Sequence, residues 1–283
     1  MSVFAVLGNQ TQKNKKEHSS GSSDVNPGML LEFRKSQSLA YGCAIEIAQL
    51  LRVGWTEKKT AKMMDQWLGD HGVRSFFHKS FAWFGDRTRF QGFKHYTDFL
   101  PSKRVLSEDD VIILDTAPIF NGYTSDIGFT FALKPNEALN QARADLLYFR
   151  DLIPKLFMKS ECLGEVWRAV DFELVRMQYD NCHAEYPFGV LGHRIHQIPL
   201  SRFPGLSVPF SVHAFWSLLS RGLMPELLSE NHRGKKEGLW AIEPHLGTQG
   251  FGIKFEEILV VDDNGARWLT DDVPHLNIPS GLY

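Results

Sequence analysis

Cysteine is scarce in this chain. Cys43, Cys162 and Cys182 are the only three in 283 residues. They are too scattered for a thiolate metal site or a disulfide framework, and they predict a reducing compartment. Long hydrophobic runs are missing too, and nothing approaches the roughly eighteen apolar residues of a membrane span. Residues 1–8 include a short apolar run without a basic leader, so a secretion signal is not expected and the cytoplasm is. Neither sign of charge is in excess: 31 Lys and Arg stand against 33 Asp and Glu, which argues against a nucleic-acid or polyanion binder.

What the chain does have is enough length for a substantial core. Residues 1–28 are polar, rich in Ser, Lys, Asn and Gly from residue 8 onward, and read as a tail. From Met29 the apolar residues Leu31, Phe33, Leu39, Ala44, Ile45, Ile47, Ala48 and Leu51 recur at helical spacing. Thr56 reads as the N-cap of a second helix over 57–69. The aromatic-rich stretch 73–100 predicts two short strands around Gly85-Asp86, with His78 and His95 as structural histidines. Helices are expected over 136–157 and 165–179. Strands, helices and then strands again predict an α+β fold.

The stretch from Val111 to Phe131 carries the first chemistry. Four apolar residues lead to Asp115, Asn121-Gly122 marks a turn, and an alternating strand follows. In that strand Ile127, Phe129 and Phe131 share one face, and Asp126, Gly128 and Thr130 the other. Asp115 and Asp126 therefore sit on adjacent antiparallel strands. Further on, Gly192-His193-Arg194-Ile195-His196 lies in a glycine-flanked segment, and Glu243 ends an apolar strand. A last strand carries Glu256 and Glu257 on opposite faces, with Lys254 sharing the face of Glu256. Buried acids repel one another and are costly to bury uncompensated. Asp115, Asp126, His193, Glu243 and one of Glu256 or Glu257 are explained together by a pair of divalent cations. Oxygen-rich ligation with one nitrogen suits Mn, Fe, Co or Zn.

In this order the segments resemble metallopeptidase family M24, the pita-bread fold of methionine aminopeptidase, aminopeptidase P, prolidase and creatinase. GYTSDIGFTF is similar to the family's G-Y-x-x-D-x-x-R-T-F, LGHRIH to G-H-G-I-G, AIEP to T-I-E-P and KFEE to R-I-E-D. The resemblance covers about residues 30–270. It implies a curved, mostly antiparallel sheet flanked by helices, in a single catalytic domain over 29–283. It also implies two metal ions held by Asp115, Asp126, His193, Glu243 and Glu256, with Asp126 and Glu256 bridging. Glu256 is preferred because the first acid of R-I-E-D is the ligand. Glu243 would shuttle a proton, and His95, in KHYTDF, would contact substrate.

The departures are specific. Phe129 replaces the family's usual arginine, and Arg194 and His196 stand where G-H-G-I-G has glycines. The family's second histidine, seven residues after the ligand, falls at 193 + 7 = 200, which is Leu200. The other register makes His196 that histidine but puts Gly189 at the ligand position, so the first is preferred and His196 would take over the missing role from a shifted place. The 50 residues between His193 and Glu243 imply an insertion over 201–236, with Phe210, Phe215 and Trp216 on an apolar helical face. That insertion is expected as a docked helix or a lid.

The expected function is a dinuclear metal-dependent hydrolase, Xaa-Pro peptidase-like, acting on a short peptide or small molecule. The alternatives are a non-peptidase dimetal oxidase, oxygenase or lyase of the same fold, and a metal-free binding module. No nucleic-acid or membrane partner is expected, and a homodimer is left open.

Overall fold

The computed structural model describes residues 26–198 and 222–283. It opens on α1 (Pro27–Leu50). Asn26 accepts the Gly28 N–H, and Pro27 stands at the helix start, where its lack of an N–H costs nothing. Helix α2 (Glu57–Asp70) is capped by Thr56, which accepts the Lys59 N–H. Next come β1 (Ser75–Phe84), the short helix α3 (Tyr96–Phe99), β2 (Val111–Phe120), β3 (Tyr123–Thr124) and β4 (Ile127–Ala132). Two long helices follow, α4 (Glu137–Lys159) and α5 (Leu163–Arg176). The remaining strands are β5 (Asp180–Asn181), β6 (Gly192–Ile195), β7 (Leu227–Leu228), β8 (Gly238–Ile242), β9 (His245–Gly247), β10 (Gly252–Lys254), β11 (Glu257–Asp262) and β12 (Gly265–Trp268).

The fold is α+β, as the sequence predicts. Among the described residues the strands form three antiparallel sheets. In the first, β2 pairs with β1, β3 and β4; the second runs β10-β9-β5 and the third β12-β11-β8-β6-β7. Helices α1 and α2 cover the first sheet: Ile127, Phe129 and Phe131 are fully buried against Ala44, Ile47 and Met64. Helices α4 and α5 cover the others, with Phe149, Phe157 and Val170 packed on Trp240, Ile242 and Leu259. The acids on the opposite faces of these strands are left to meet one another. Among the described residues no helix is long and apolar enough to cross a membrane.

Three expectations change. The β2 strand does not end at Asp115 but runs on to Phe120, so Asp115 is a mid-strand residue paired with Gly128 on one side and Phe81 on the other. The two strands expected over 73–100 are one ten-residue strand followed by a 3-10 turn at Gly85–Arg89. Phe90 then takes a left-handed conformation, φ 57°, and turns the chain inward. The aromatics that suggested a second strand instead fill an irregular cluster, in which Phe90 and Phe99 pack on Trp83 and Ile113. Of the expected insertion, Phe210, Phe215 and Trp216 lie outside the described residues. Its described part holds a 3-10 turn at Met224–Glu226 and the edge strand β7 beside His193, not an α-helix.

His183 gives the fold an acid sensitivity. It is fully buried, its ring edge-on to Trp167, and neither ring nitrogen has a hydrogen-bond partner among the described residues. Burial pushes its pKa down to about 3. The unfolded chain therefore binds a proton there that the folded chain refuses, and stability falls as pH drops from the unfolded value near 6.5 towards 3. Denaturant titrations should show His183→Phe losing part of that slope, up to about 1.4 kcal/mol per pH unit. An unchanged slope would mean that His183 is protonated in the fold.

Candidate metal centre

Backbone pairing brings the acids together. Asp115 pairs with Gly128 across β2 and β4, and Gly128 in turn bridges to Glu256. Asp126, two residues before Gly128, shares its face. Glu243 follows β8 and precedes Pro244, which cannot donate to the ladder; the Glu243 N–H donates to the Leu191 carbonyl at 2.9 Å. His193 lies in β6 between Ala241 of β8 and Leu227 of β7. Four polypeptide stretches thus deliver Asp115, Asp126, His193, Glu243 and Glu256 to one buried place. Their exposures are 3, 1, 7, 7 and 2 %. That is too little for water to screen their charges.

Glu257 faces the other way. Its carboxylate accepts two hydrogen bonds from Arg150 of α4, at 2.7 and 3.0 Å, and lies 2.7 Å from His275 Nε2. Period-two alternation survives through Phe255, so Lys254 and Glu256 enter the cluster together.

Lys254 reaches the cluster on the same strand face as Glu256. Its ammonium donates to Asp115 Oδ2 at 2.7 Å, Glu243 Oε2 at 2.8 Å and Glu256 Oε2 at 3.0 Å, with the Tyr186 hydroxyl 3.2 Å away. Burial works against that charge, but the three carboxylates outweigh it and hold the Lys254 pKa well above its usual value. Burial also raises Glu256 and Glu243, and in both cases neighbouring acids add to the effect while Lys254 opposes it.

His78 is the second addition. It comes from β1, and its Nε2 lies 3.1 and 3.2 Å from the two oxygens of Asp126 and 3.5 Å from Asp115 Oδ1. His193 Nε2 approaches Asp126 Oδ2 from its own strand at 3.1 Å and Glu256 Oε1 at 4.0 Å. Burial alone would depress His78, but the charge and hydrogen bond of Asp126 overcome it and lift the pKa to about 9. His193 is raised for the same reasons. Burial pulls Asp126 up, yet the two imidazoles hold it well below the usual carboxylate range. Sequence reading set His78 aside as structural. β1 is buried on both faces and its register slips on either side of His78, so alternation could not show where the ring points.

Two other expected residues are placed elsewhere. His95 is exposed at the N-cap of α3, where its backbone N–H donates to Asp98. The histidine that this part of the chain brings to the cluster is His78. His196 is half-buried and paired with Glu226, one residue before β7.

A divalent cation fits this donor set. Asp115 Oδ1 is buried without a hydrogen-bond partner among the described residues; its contact with His78 is long for a hydrogen bond. Two triplets of ligand atoms, His78–Asp115–Asp126 and Asp126–His193–Glu256, each lie within 4.8 Å of one another and share Asp126. Spacings of that order surround an ion at the usual distance of about 2.0–2.2 Å from each ligand.

No curated protein sequence matches the chain significantly. Solved structures do resemble it. The X-Pro aminopeptidase of Thermotoga maritima is 19% identical with a TM-score of 0.62, over 87% of this chain and 61% of that one. The prolidase of Thermococcus sibiricus gives 17% and 0.62, over 87% and 59%. Escherichia coli aminopeptidase P gives 15% and 0.56, over 88% and 56%. The chain spans about three fifths of the length of these structures. At such identities they establish the fold. The model of metallopeptidase family M24 matches residues 32–263, most of the chain. With the pita-bread architecture and a buried carboxylate–imidazole cluster in place, the chain belongs to metallopeptidase family M24.

Proposed function

We propose that the chain is a metal-dependent hydrolase that cleaves the amide bond of short peptides, Xaa-Pro dipeptides among them. The observation that carries this reading is the convergence of Asp115, Asp126, His193, Glu243 and Glu256 in one buried cluster with an unpaired carboxylate oxygen. When bound there, a divalent ion supplies a water acidic enough to attack at neutral pH and a Lewis acid for the carbonyl.

The chain's own groups do the rest. Asp126 and the two imidazoles aimed at it fix the ligand geometry. Glu243 is the most open of the four acids, its side chain 10% exposed against 5% for Asp115 and 2% for Glu256. It is the group best placed to carry a proton from the attacking water to the leaving amine. Phe77 stacks on His193 with ring centroids 4.8 Å apart and helps to exclude water from that side. Two ions with Asp126 and Glu256 as bridging ligands are the arrangement expected from sequence, and the two ligand triplets that share Asp126 support it. The free cysteines, with Cys43 and Cys182 buried, support a reducing, cytoplasmic setting.

A second reading has one observation behind it. His78 and His193 each approach Asp126 at 3.1 Å, and imidazole with carboxylate is donor chemistry that also suits ferrous iron in oxidative enzymes. An assay separates the two. Release of an N-terminal residue from a panel of Xaa-Pro and other dipeptides, at rates that follow added metal, is the expected result. No cleavage across the panel, together with iron-dependent oxygen uptake on another substrate, would favour the oxidative reading.

A further inference from the structure

We propose that His78 is a metal ligand, completing an ion site with Asp115 and Asp126, so that each of two bound ions carries one histidine. The inference rests on the metal-dependent reading above and adds a ligand that the family resemblance does not supply.

Strand β1 departs from regular pairing to bring His78 inward. In a regular strand, neighbouring side chains face opposite sides. Here Phe77 stacks on His193, and the adjacent His78 reaches the same cluster. The pairing with β2 slips between Phe76 and His78 and again between His78 and Phe81. Such irregularities re-aim a side chain and are common beside active sites. The ring also arrives oriented. His78 Nδ1 lies 2.9 Å from the Lys79 carbonyl, and His193 Nδ1 lies 3.1 Å from the Arg194 carbonyl. A carbonyl can only accept, so each Nδ1 carries a proton and donates it to the backbone of the next residue. That turns each Nε2 towards the acids. A backbone carbonyl on the far nitrogen is a usual way to fix the tautomer and orientation of a metal-ligating histidine. His78 thus has the same mounting as His193, which the resemblance assigns as a ligand.

The spacings suit a shared ion. His78 Nε2 lies 3.1 Å from Asp126 Oδ1 and 3.5 Å from Asp115 Oδ1. Two ligands about 2.0–2.2 Å from one ion, at tetrahedral or octahedral angles, stand roughly 3.0–3.5 Å apart. The second triplet is built around the other oxygen of Asp126, with His193 Nε2 3.1 Å from Oδ2 and 4.0 Å from Glu256 Oε1. Lys254 sorts the remaining oxygens. Its ammonium holds Asp115 Oδ2 and Glu256 Oε2, which leaves Asp115 Oδ1 towards His78 and Glu256 Oε1 towards His193. A histidine that served only as a counter-charge to Asp126 would leave Asp115 Oδ1 as it stands, buried with no hydrogen-bond partner among the described residues. Buried polar atoms in folded proteins are rarely left so, and an ion on His78 satisfies that oxygen.

The test counts the imidazoles on the metal. Metal-free protein is titrated calorimetrically with Co(II), and the cobalt form is examined by proton magnetic resonance. A histidine bound through Nε2 keeps its Nδ1 proton, and the paramagnetic ion moves that signal far outside the ordinary range. The wild-type chain should bind two ions and show two such signals, both absent from protein refolded in heavy water. His78→Ala should lose one signal and weaken one of the two binding steps by tenfold or more, at least the loss expected for an outer partner of a ligand. It should keep the far-ultraviolet spectrum of the parent. His193→Ala should lose the other signal. Saturation at one ion, a single shifted signal in the wild-type chain, or a folded His78→Ala protein that keeps both signals or both affinities would overturn the proposal while leaving the metal-dependent reading intact. A wild-type chain that binds no Co(II) would instead sink the metal-dependent reading, and this assignment with it. Should His78→Ala not fold, the number of shifted signals in the wild-type chain still decides.

Discussion

Asp126→Asn should cost the centre at least a hundredfold in metal affinity and abolish measurable turnover, with the fold retained. Asp126 is the one residue common to both ligand triplets, and both imidazoles are aimed at its oxygens. Loss of an outer partner of a metal ligand costs ten- to a hundredfold, so loss of the shared ligand itself should exceed that range. The fold should survive because the metal-free cluster is crowded with like charge. The charge of Asp126 is, after burial, the largest influence pushing Glu256 up. Removing it relieves repulsion at a site where the amide oxygen can still accept a hydrogen bond. Circular dichroism, a melting curve and elemental analysis check this together. Parent-like metal content and turnover would remove Asp126 from the centre.

Glu257→Gln should have the opposite profile, with stability lost and the metal centre kept. Glu257 is fully buried and is bound through both oxygens by Arg150, whose side chain is 9% exposed. The variant leaves the guanidinium facing a neutral amide, and the acid still paired with it among the described residues is the exposed Asp271. Removing one partner of a buried ion pair costs about 3–5 kcal/mol, since the other charge stays buried. For a chain of this size that lowers the melting temperature by roughly 10 °C. Metal bound per folded molecule should match the parent. An emptied centre in a stable Glu257→Gln protein would mean that this strand presents the other acid to the site.

Both outcomes turn on a question that the sequence half answers. Alternation put Lys254 and Glu256 on one face and Glu257 on the other, and the structure keeps that parity. What parity could not say is which face turns inward to the acids, because every residue from Phe251 to Val261 is buried. The presence of Lys254 was legible: a lysine two residues from a buried glutamate in a strand enters the same space. The hairpin carrying Asp115 and Asp126 was legible as well, since the turn at Asn121-Gly122 and the phenylalanines of β4 leave one register open. His78 was hidden because register slips on both sides of it break the alternation. The 3-10 turn and left-handed Phe90 were hidden because an aromatic-rich run reads as strand whether its rings line a sheet or fill a loop cluster. His95 was placed by motif likeness alone, and nothing in the local pattern said that its ring would end at the surface.

The most direct measurement is elemental analysis of the chain purified without added metal, paired with dipeptide turnover before metal removal, after it, and after restoring each of Mn, Fe, Co and Zn. The expected result is a first-row ion bound in proportion to protein, turnover that disappears with the ion, and turnover that returns with at least one of the four. Full turnover in metal-free protein, or a folded chain that binds none of the four, would contradict it.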